Sequence, residues 1–304
     1  MPTCLVLMCT YNGERFLREQ IDSILAQRGV EVFIKAADDR SSDGTVQILE
    51  EYRSRNANFD YYVNSVNKNF TYNFIDLLFS VRDTQYDYFA FCDQDDIWLP
   101  DKLAEAIKKI RGIGQAKNGV LYCSNLNVTD AQGNLIGMEE DESIRKTNRC
   151  TYLYENICTG CTMVFDRAFR DQSLKYYPEG IRLHDHWLFL IAVYTAQWVY
   201  DVNSYILYRQ HVDNQVGSKK NIDESLPAQF VRFVKRSRTD TTQRLQQLLM
   251  GYGGEISEQD KKNICIVANY KSNFLCRMKF VFFRRFRRRK RDLRFRVRVL
   301  FGKV

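Results

Sequence analysis

Between Tyr88 and Asp101 the chain reads YFAFCDQDDIWLPD. Tyr88–Cys92 is a continuous apolar run, with no alternation of polar and apolar side chains. Such a run suits a strand covered on both faces, as in the middle of a parallel sheet. It stops on Asp93, Asp95 and Asp96, followed by Ile97 and Trp98, with Pro100 and Asp101 placed to open a helix. Open α/β sheets bind ligands outside the carboxyl ends of their strands. Carboxylates crowded there repel one another, and a divalent cation relieves the repulsion. An isolated DxD is usually a solvated turn. The apolar run before this one and the aromatic after it favour a site.

The same grammar recurs upstream. Thr3–Cys9 is another apolar run, broken by Thr10-Tyr11-Asn12-Gly13. Phe16, Leu17, Ile21, Ile24 and Leu25 then repeat with the period of a helix. Val30–Ala37 reads as a second strand, running into Asp38-Asp39-Arg40-Ser41-Ser42-Asp43-Gly44-Thr45. Asp43 can cap the helix of Val46, Ile48, Leu49 and Tyr52, and Gly44 can make the turn. Neither role explains the carboxylate pair at 38–39, where Asp39 is able to accept hydrogen bonds from a base or ribose. A third strand at Tyr61–Val63 and a helix through Phe74, Leu77 and Leu78 lead back to the acidic stretch. Strands alternating with helices predict an α/β fold with a mostly parallel central sheet flanked by helices.

At 304 residues, with 45% hydrophobic and 27% charged, the chain can bury a sizeable core. Only 4 Pro and 15 Gly argue against low complexity. The apolar runs are too short to span a bilayer, and Met1–Cys9 lacks the basic start of a signal peptide. Nine scattered Cys read as reduced thiols, and Cys158-x-x-Cys161 as packing residues. A cytoplasmic protein is expected. There is no Gly-rich P-loop and no GxGxxG, so kinase-like and dehydrogenase readings lack their phosphate cradle.

Downstream, a helix from Lys102 ends near Gly112, Val120–Val128 reads as a strand, and Thr129–Asn134 as a hairpin turn. Residues 135–157 carry no readable period. Thr159–Phe165 is a strand opened by small residues, where Gly160 permits close approach of a ligand or backbone. His184-Asp185-His186-Trp187 opens an apolar helix; histidines at i and i+2 face different ways, which disfavours joint metal ligation. Val199–Tyr208 is a last strand, followed by Arg209, Gln210 and His211.

Taken in order and spacing, TYNGE, DDRSSDGT and CDQDDIWLPDK resemble a family 2 glycosyltransferase with the GT-A nucleotide-sugar fold. The resemblance covers a catalytic domain at 1–220 and implies roles for its residues. Thr10, Tyr11, Asn12, Glu14 and Asp39 would hold the nucleotide, and Asp93 its ribose or a water. Asp95, through Mg²⁺ or Mn²⁺, would steady the departing diphosphate, with His211 completing the metal shell and Arg209 pairing with phosphate. Asp185 would be the general base. Trp98, Gly160, Cys161, His184, His186 and Trp187 would line the sugar and acceptor pocket, with Asp96 either beside them or structural. CDQDDIW with HDHW and YRQH is similar to the bacterial rhamnosyltransferase-like branch. That implies inverting transfer from dTDP-L-rhamnose to a lipid-linked saccharide in surface polysaccharide synthesis. UDP-glucose, UDP-galactose and their N-acetyl forms stay open as donors. A nucleotidyltransferase would want a Gly-rich, basic first loop, which TYNGE is not. A non-catalytic binding protein acting through its basic tail is the rival from another class.

From about Asn221 the composition shifts to a helical extension, 221–304. Its last part, Lys279–Val304, holds twelve Lys/Arg against one Asp, a balance of +11; as the whole chain is +8, the preceding 278 residues carry −3. Phe and Val interleave with the Arg residues, which suits an anionic membrane surface. Nucleic acid would suit the charge, but no recognition motif accompanies it. Leu293, Phe295, Val297 and Val299 alternate with Arg, a strand-like period of two.

Overall fold

The computed structural model describes residues 1–138, 148–211, 240–282 and 292–302. Four strands, β1 (Thr3–Thr10), β2 (Glu31–Asp38), β3 (Phe59–Val63) and β4 (Tyr88–Cys92), form the parallel half of the sheet in the order β3-β2-β1-β4. Helices α1 (Leu17–Leu25), α2 (Thr45–Arg55) and α3 (Asn69–Ser80) make the crossovers. Beyond β4 the sheet turns mixed. β5 (Ile97–Trp98), α4 (Lys102–Ile113), β6 (Val120–Thr129), β7 (Leu135–Met138), β8 (Val164–Asp166), α5 (Arg167–Ser173), α6 (His184–Thr195) and β9 (Gln197–Arg209) follow in sequence. β8 lies antiparallel between β4 and β6, β9 runs parallel to β6, and β5 closes the edge antiparallel to β9. The half built from β1 to β4 is wholly parallel, and beyond it the parallel β6–β9 pair lies among antiparallel neighbours.

Two cores lie on opposite faces of this sheet, and β1 shows why its run does not alternate. Cys4, Val6 and Met8 join α1, α2 and α4 on one face. Leu5, Leu7 and Cys9 join α3 and α6 on the other. Phe89 and Phe91 of β4 share the second face, while Tyr88, Ala90 and Cys92 share the first. Both faces are dry, so every residue of the strand is apolar.

The expected strand at Thr159–Phe165 is corrected. Gly160–Thr162 is a single turn of 3-10 helix, closed by Thr162 and Met163 amides donating to the Thr159 and Gly160 carbonyls at 2.9 and 3.0 Å. Only Val164–Asp166 is strand.

C-terminally, α7 (Asp240–Tyr252), α8 (Glu258–Ala268), α9 (Phe274–Phe282) and α10 (Asp292–Leu300) complete the described chain. Leu245, Leu248, Tyr252, Ile264, Val267 and Phe280 are buried in the same core as α6. The alternation at Leu293–Val299 gives way to helix: Phe295 stacks on Tyr154 at 4.8 Å and meets Phe280 at 5.3 Å, and Val299, four residues on, is buried. A helix puts i and i+4 on one face, so two apolar anchors are satisfied at once. The Arg-rich 283–291 and the 212–239 segment lie outside the described residues. All nine cysteines are free thiols. Among the described residues no helix is long and apolar enough to cross a membrane.

Candidate active site

Register brings the site together. Thr10 sits opposite Asp38, and Met8 opposite Cys92, so the ends of β2, β1 and β4 are level and Asp93 follows directly. Asp38 is fully buried, accepting from the Thr10 hydroxyl at 2.9 Å and from the Ser41 hydroxyl and amide at 2.6 and 2.8 Å. Asp39 is buried too; its Oδ1 accepts from Asn64 Nδ2 at 3.0 Å and the Lys68 amide at 2.8 Å.

The loop after β1 is stitched to its neighbours. Gln94 pairs with the Tyr11 backbone in both directions, accepting from N–H at 2.7 Å and donating to C=O at 3.0 Å. Asn12 lies in the left-handed region at φ 49°, its Oδ1 accepting from the Ser42 amide at 2.8 Å. Glu14 accepts from the Gly44 amide at 2.8 Å, at the start of α2. The side chains of Thr10, Asn12 and Glu14, expected to hold the nucleotide, also join the loops that follow β1 and β2. Tyr11 keeps an exposed ring.

The acidic loop divides its work. Asp95 faces His211, whose Nε2 lies 2.7 Å from Oδ2. Asp93 is pushed up to about 7 by burial, then by the charges of Asp95 and Asp185. Asp96 is almost wholly buried; its Oδ1 accepts the Arg209 amide at 3.1 Å, and burial with the two neighbouring carboxylates drives it well above the usual range. Ligand atoms of Asp93, Asp96 and Cys161 lie within 4.8 Å of one another. Burial and the mutual repulsion of carboxylates so close together both disfavour ionising the pair at once.

Several pocket assignments are corrected. Asp96 and Cys161 sit beneath the loop, with the Cys161 thiol bonded to Asp96 and held protonated by burial. Trp98 is in the core against α4, its ring 3.4 Å from the buried Lys102 ammonium. Trp187 is in the opposite core, 6.0 Å from the Tyr252 ring. His186 Nε2 bonds the Tyr152 carbonyl at 2.8 Å, away from the cleft. Arg209 reaches the site, but its guanidinium binds Glu19 at 2.5 Å, the Asp95 carbonyl at 3.0 Å and the Ala131 carbonyl at 3.1 Å. It braces the loop from behind instead of presenting itself to phosphate.

Asp185 stands in the first turn of α6, where Oδ1 accepts the His186 amide at 2.6 Å. Burial raises it to about 6, against hydrogen bonds from the His186 and Gly160 amides and the Asn156 side chain and against the charge of Arg244. His184 is boxed by Phe74, stacked at 4.2 Å, and Phe91 at 5.3 Å; burial pushes it down to about 3, so it is neutral. Neither of its ring nitrogens has a hydrogen-bond partner among the described residues. Gly160 is glycine because a Cβ would come 2.8 Å from His184 Nε2.

Asp95 and His211 fit a divalent cation of the Mg²⁺ or Mn²⁺ kind, a hard oxygen beside an imidazole. Cys161 does not, being a protonated soft ligand. Sequence reasoning missed Gln94 and Glu19, and of the carboxylate pair at 38–39 it gave a role only to Asp39. Gln94 was readable as an amide among carboxylates, able to pair with backbone in both senses.

The glycosyl transferase family 2 profile matches residues 5–172. The dTDP-rhamnosyl transferase RfbG of Shigella flexneri is 33% identical over 222 residues, spanning 69% of this chain and 74% of that protein. The uncharacterized glycosyltransferase RT0329 of Rickettsia typhi is 23% identical over 244 residues, 77% of this chain and 72% of the relative. Among solved structures, S. aureus TarS 1-349 in complex with UDP-GlcNAc superposes with a TM-score of 0.61 at 17% identity, covering 93% of this chain and 76% of that one. Mannosyltransferase PcManGT from Pyrobaculum calidifontis, in complex with GDP-Man and Mn²⁺, gives 0.57 at 14% identity over 90% of this chain and 72% of that one. These likenesses show the fold.

Proposed function

Because this chain belongs to glycosyl transferase family 2, we propose that it moves L-rhamnose from dTDP-L-rhamnose to a hydroxyl of a lipid-linked saccharide, with inversion. One observation supports the chemistry: the head of α6 packs on the end of β4, with the His184 ring 5.3 Å from that of Phe91. Asp185, next to His184, and Asp93, two residues past Phe91, thus come from separate elements to one place. The donor rests on the relative named as a dTDP-rhamnosyl transferase.

In the proposed displacement, the acceptor oxygen bonds to the anomeric carbon as the bond to the diphosphate oxygen breaks. The acceptor proton passes to Asp185, and the bonding pair leaves with the nucleotide diphosphate. A base near 6 is mostly ionised at neutral pH yet basic enough to accept a proton in the transition state. Asp95 and His211 would hold a divalent cation, which supplies positive charge to the leaving diphosphate. Asp39, at the foot of the cleft, would receive the nucleotide.

Peripheral attachment at the inner face of the cell membrane is part of the proposal, and the C-terminal surface supports it. Phe274, Leu275, Phe282 and Phe301 are exposed on α9 and beyond α10, in a stretch rich in Arg and Lys. Aromatic and basic groups together suit an anionic lipid interface, at about 1 kcal/mol per basic residue, and a lipid-linked acceptor would be met there.

A donor screen tests the assignment: nucleotide sugars with Mn²⁺, scored for hydrolysis and thermal shift. The strongest response to dTDP-L-rhamnose supports it, and a response confined to UDP-sugars overturns it.

A further inference from the structure

We infer that Arg15, in the loop between β1 and α1, binds the diphosphate of the donor, the part that Arg209 is not free to take. The inference rests on the reading above, in which Asp95 and His211 hold a cation for that diphosphate. The donor brings a multiply charged anion into a cleft already lined by carboxylates, and a cation shared with Asp95 leaves part of that charge unanswered. Arg209 does not answer it, since its guanidinium is spent on Glu19 and on the Asp95 and Ala131 carbonyls.

The Arg15 guanidinium lies 4.7 Å from the centre of the Phe16 ring. An arginine resting on the ring next to it in sequence is ordinary. Here the ring's other contacts matter. Phe16 is buried, its centre 5.0 Å from the His211 ring and 4.4 Å from the Arg209 guanidinium. Arg15 and His211 therefore flank the same ring, no further apart than the two distances together, and His211 in turn lies 2.7 Å from Asp95.

Arg15 is exposed, and among the described residues its guanidinium forms no hydrogen bond or ion pair. The carboxylate four residues on, Glu19, is taken by Arg209 at 2.5 Å. Arg15 also precedes the start of α1, an end where the helix dipole favours anions over cations. Its charge thus adds nothing to the fold and is open to an incoming anion. The stacked ring favours one side of the guanidinium, and the planar fork suits a pair of phosphate oxygens. As the bond to the anomeric carbon breaks, the bonding pair stays on the diphosphate oxygen, and Arg15 stands to meet the charge that grows there.

The test compares Arg15→Met and Arg15→Lys with the parent in the whole chain, with Asp95→Ala in parallel. Binding of dTDP and of UDP, each with and without Mn²⁺, is followed by titration calorimetry, beside acceptor KM and the nucleotide-free melting temperature. Expected in Arg15→Met are an affinity for the better-bound nucleoside diphosphate lowered about 10- to 100-fold, a shallower fall of that affinity with salt, and an unchanged melting temperature. Arg15→Lys should recover part of the loss. Parental affinity in Arg15→Met overturns the inference. So does a raised acceptor KM with unchanged nucleotide affinity, which would give Arg15 to a phosphate of the acceptor. A weakened affinity that comes with a lowered melting temperature and is not relieved by lysine also overturns it, as the mark of a structural role. Nucleotide binding by the parent that neither Mn²⁺ nor Asp95→Ala alters would instead remove the reading on which the inference stands, and the two failures are thereby told apart.

Discussion

The imidazole of His211 lies 2.7 Å from the carboxylate of Asp95, tying the end of β9 to the loop after β4 across 116 residues. Each is supported from behind. The Arg209 side chain holds the Asp95 carbonyl at 3.0 Å, and its ring neighbour Phe16 lies 5.0 Å from His211 and 4.4 Å beneath the guanidinium. The pair is the proposed holder of the cation, and the first prediction follows from that proposal.

Chelation of divalent cations should abolish transfer, and Mn²⁺ should restore it. Asp95→Ala should lower kcat by roughly 10²–10³-fold, the usual cost of removing one stabiliser of developing charge. His211→Ala should chiefly raise the Mn²⁺ concentration giving half-maximal rate, while leaving the melting temperature near the parent's. A metal-independent rate equal to the parent's in either variant contradicts the role.

Asp185→Asn should reduce transfer by about 10²–10⁴-fold, the range for a lost general base. The sign of the pH effect is set by its shift. With the carboxyl raised to about 6, the base is protonated and idle below that value and ionised above it, so kcat should rise with pH through about 6 and then level off. A flat profile between pH 5 and 8 would count against Asp185.

Asp93 is a stability liability in the metal-free protein. Its folded value of about 7 against an ordinary 3.8 means that the ionised form is disfavoured by folding. The penalty is absent below about pH 4 and complete above about pH 7. Asp93→Asn should therefore raise the melting temperature at pH 8 in EDTA, by about 2–4 °C per kcal/mol relieved, and should change it little at pH 4. Equal melting at both pH values would refute this account.

Gly160→Ala should damage catalysis more than folding. The new Cβ would stand 2.8 Å from His184 Nε2 and 3.5 Å from the Asp185 Cβ, so the head of α6 must shift. A kcat lowered about 10-fold or more is expected from so small a displacement of a base. Kinetics identical to the parent's would show that the turn has slack.

Phe282→Ser with Phe301→Ser should weaken co-sedimentation with anionic vesicles and leave donor hydrolysis in solution unchanged. Raised salt should weaken it as well, since the basic contribution is screened. Vesicle binding that is indifferent to both changes would exclude the membrane surface proposed for this region.

Most of the first half of the molecule is legible in the chain. Unalternating runs such as Thr3–Cys9 and Tyr88–Cys92 require cover on both faces, and the helical periods between them supply it, so β1 to β4 and their crossovers follow from local pattern. Carboxylates just past apolar runs, at Asp39, Asp93 and Asp95, were readable for the same reason. What those carboxylates touch was not. Thr10, Asn12 and Glu14 prove to be bonded to the neighbouring loop as well, and Trp98, His186 and Trp187 look like pocket residues until the phase of β5 and of α6 turns them inward. By itself the sequence determined the fold class, the family resemblance and the strand ends where chemistry belongs, because these depend on neighbours a few residues apart. Only the tertiary structure decided that Asp95 meets His211 and that Arg209 serves as a brace. Those contacts arise from packing between segments far apart in the chain, and no local pattern encodes which polar side chain a buried charge will find.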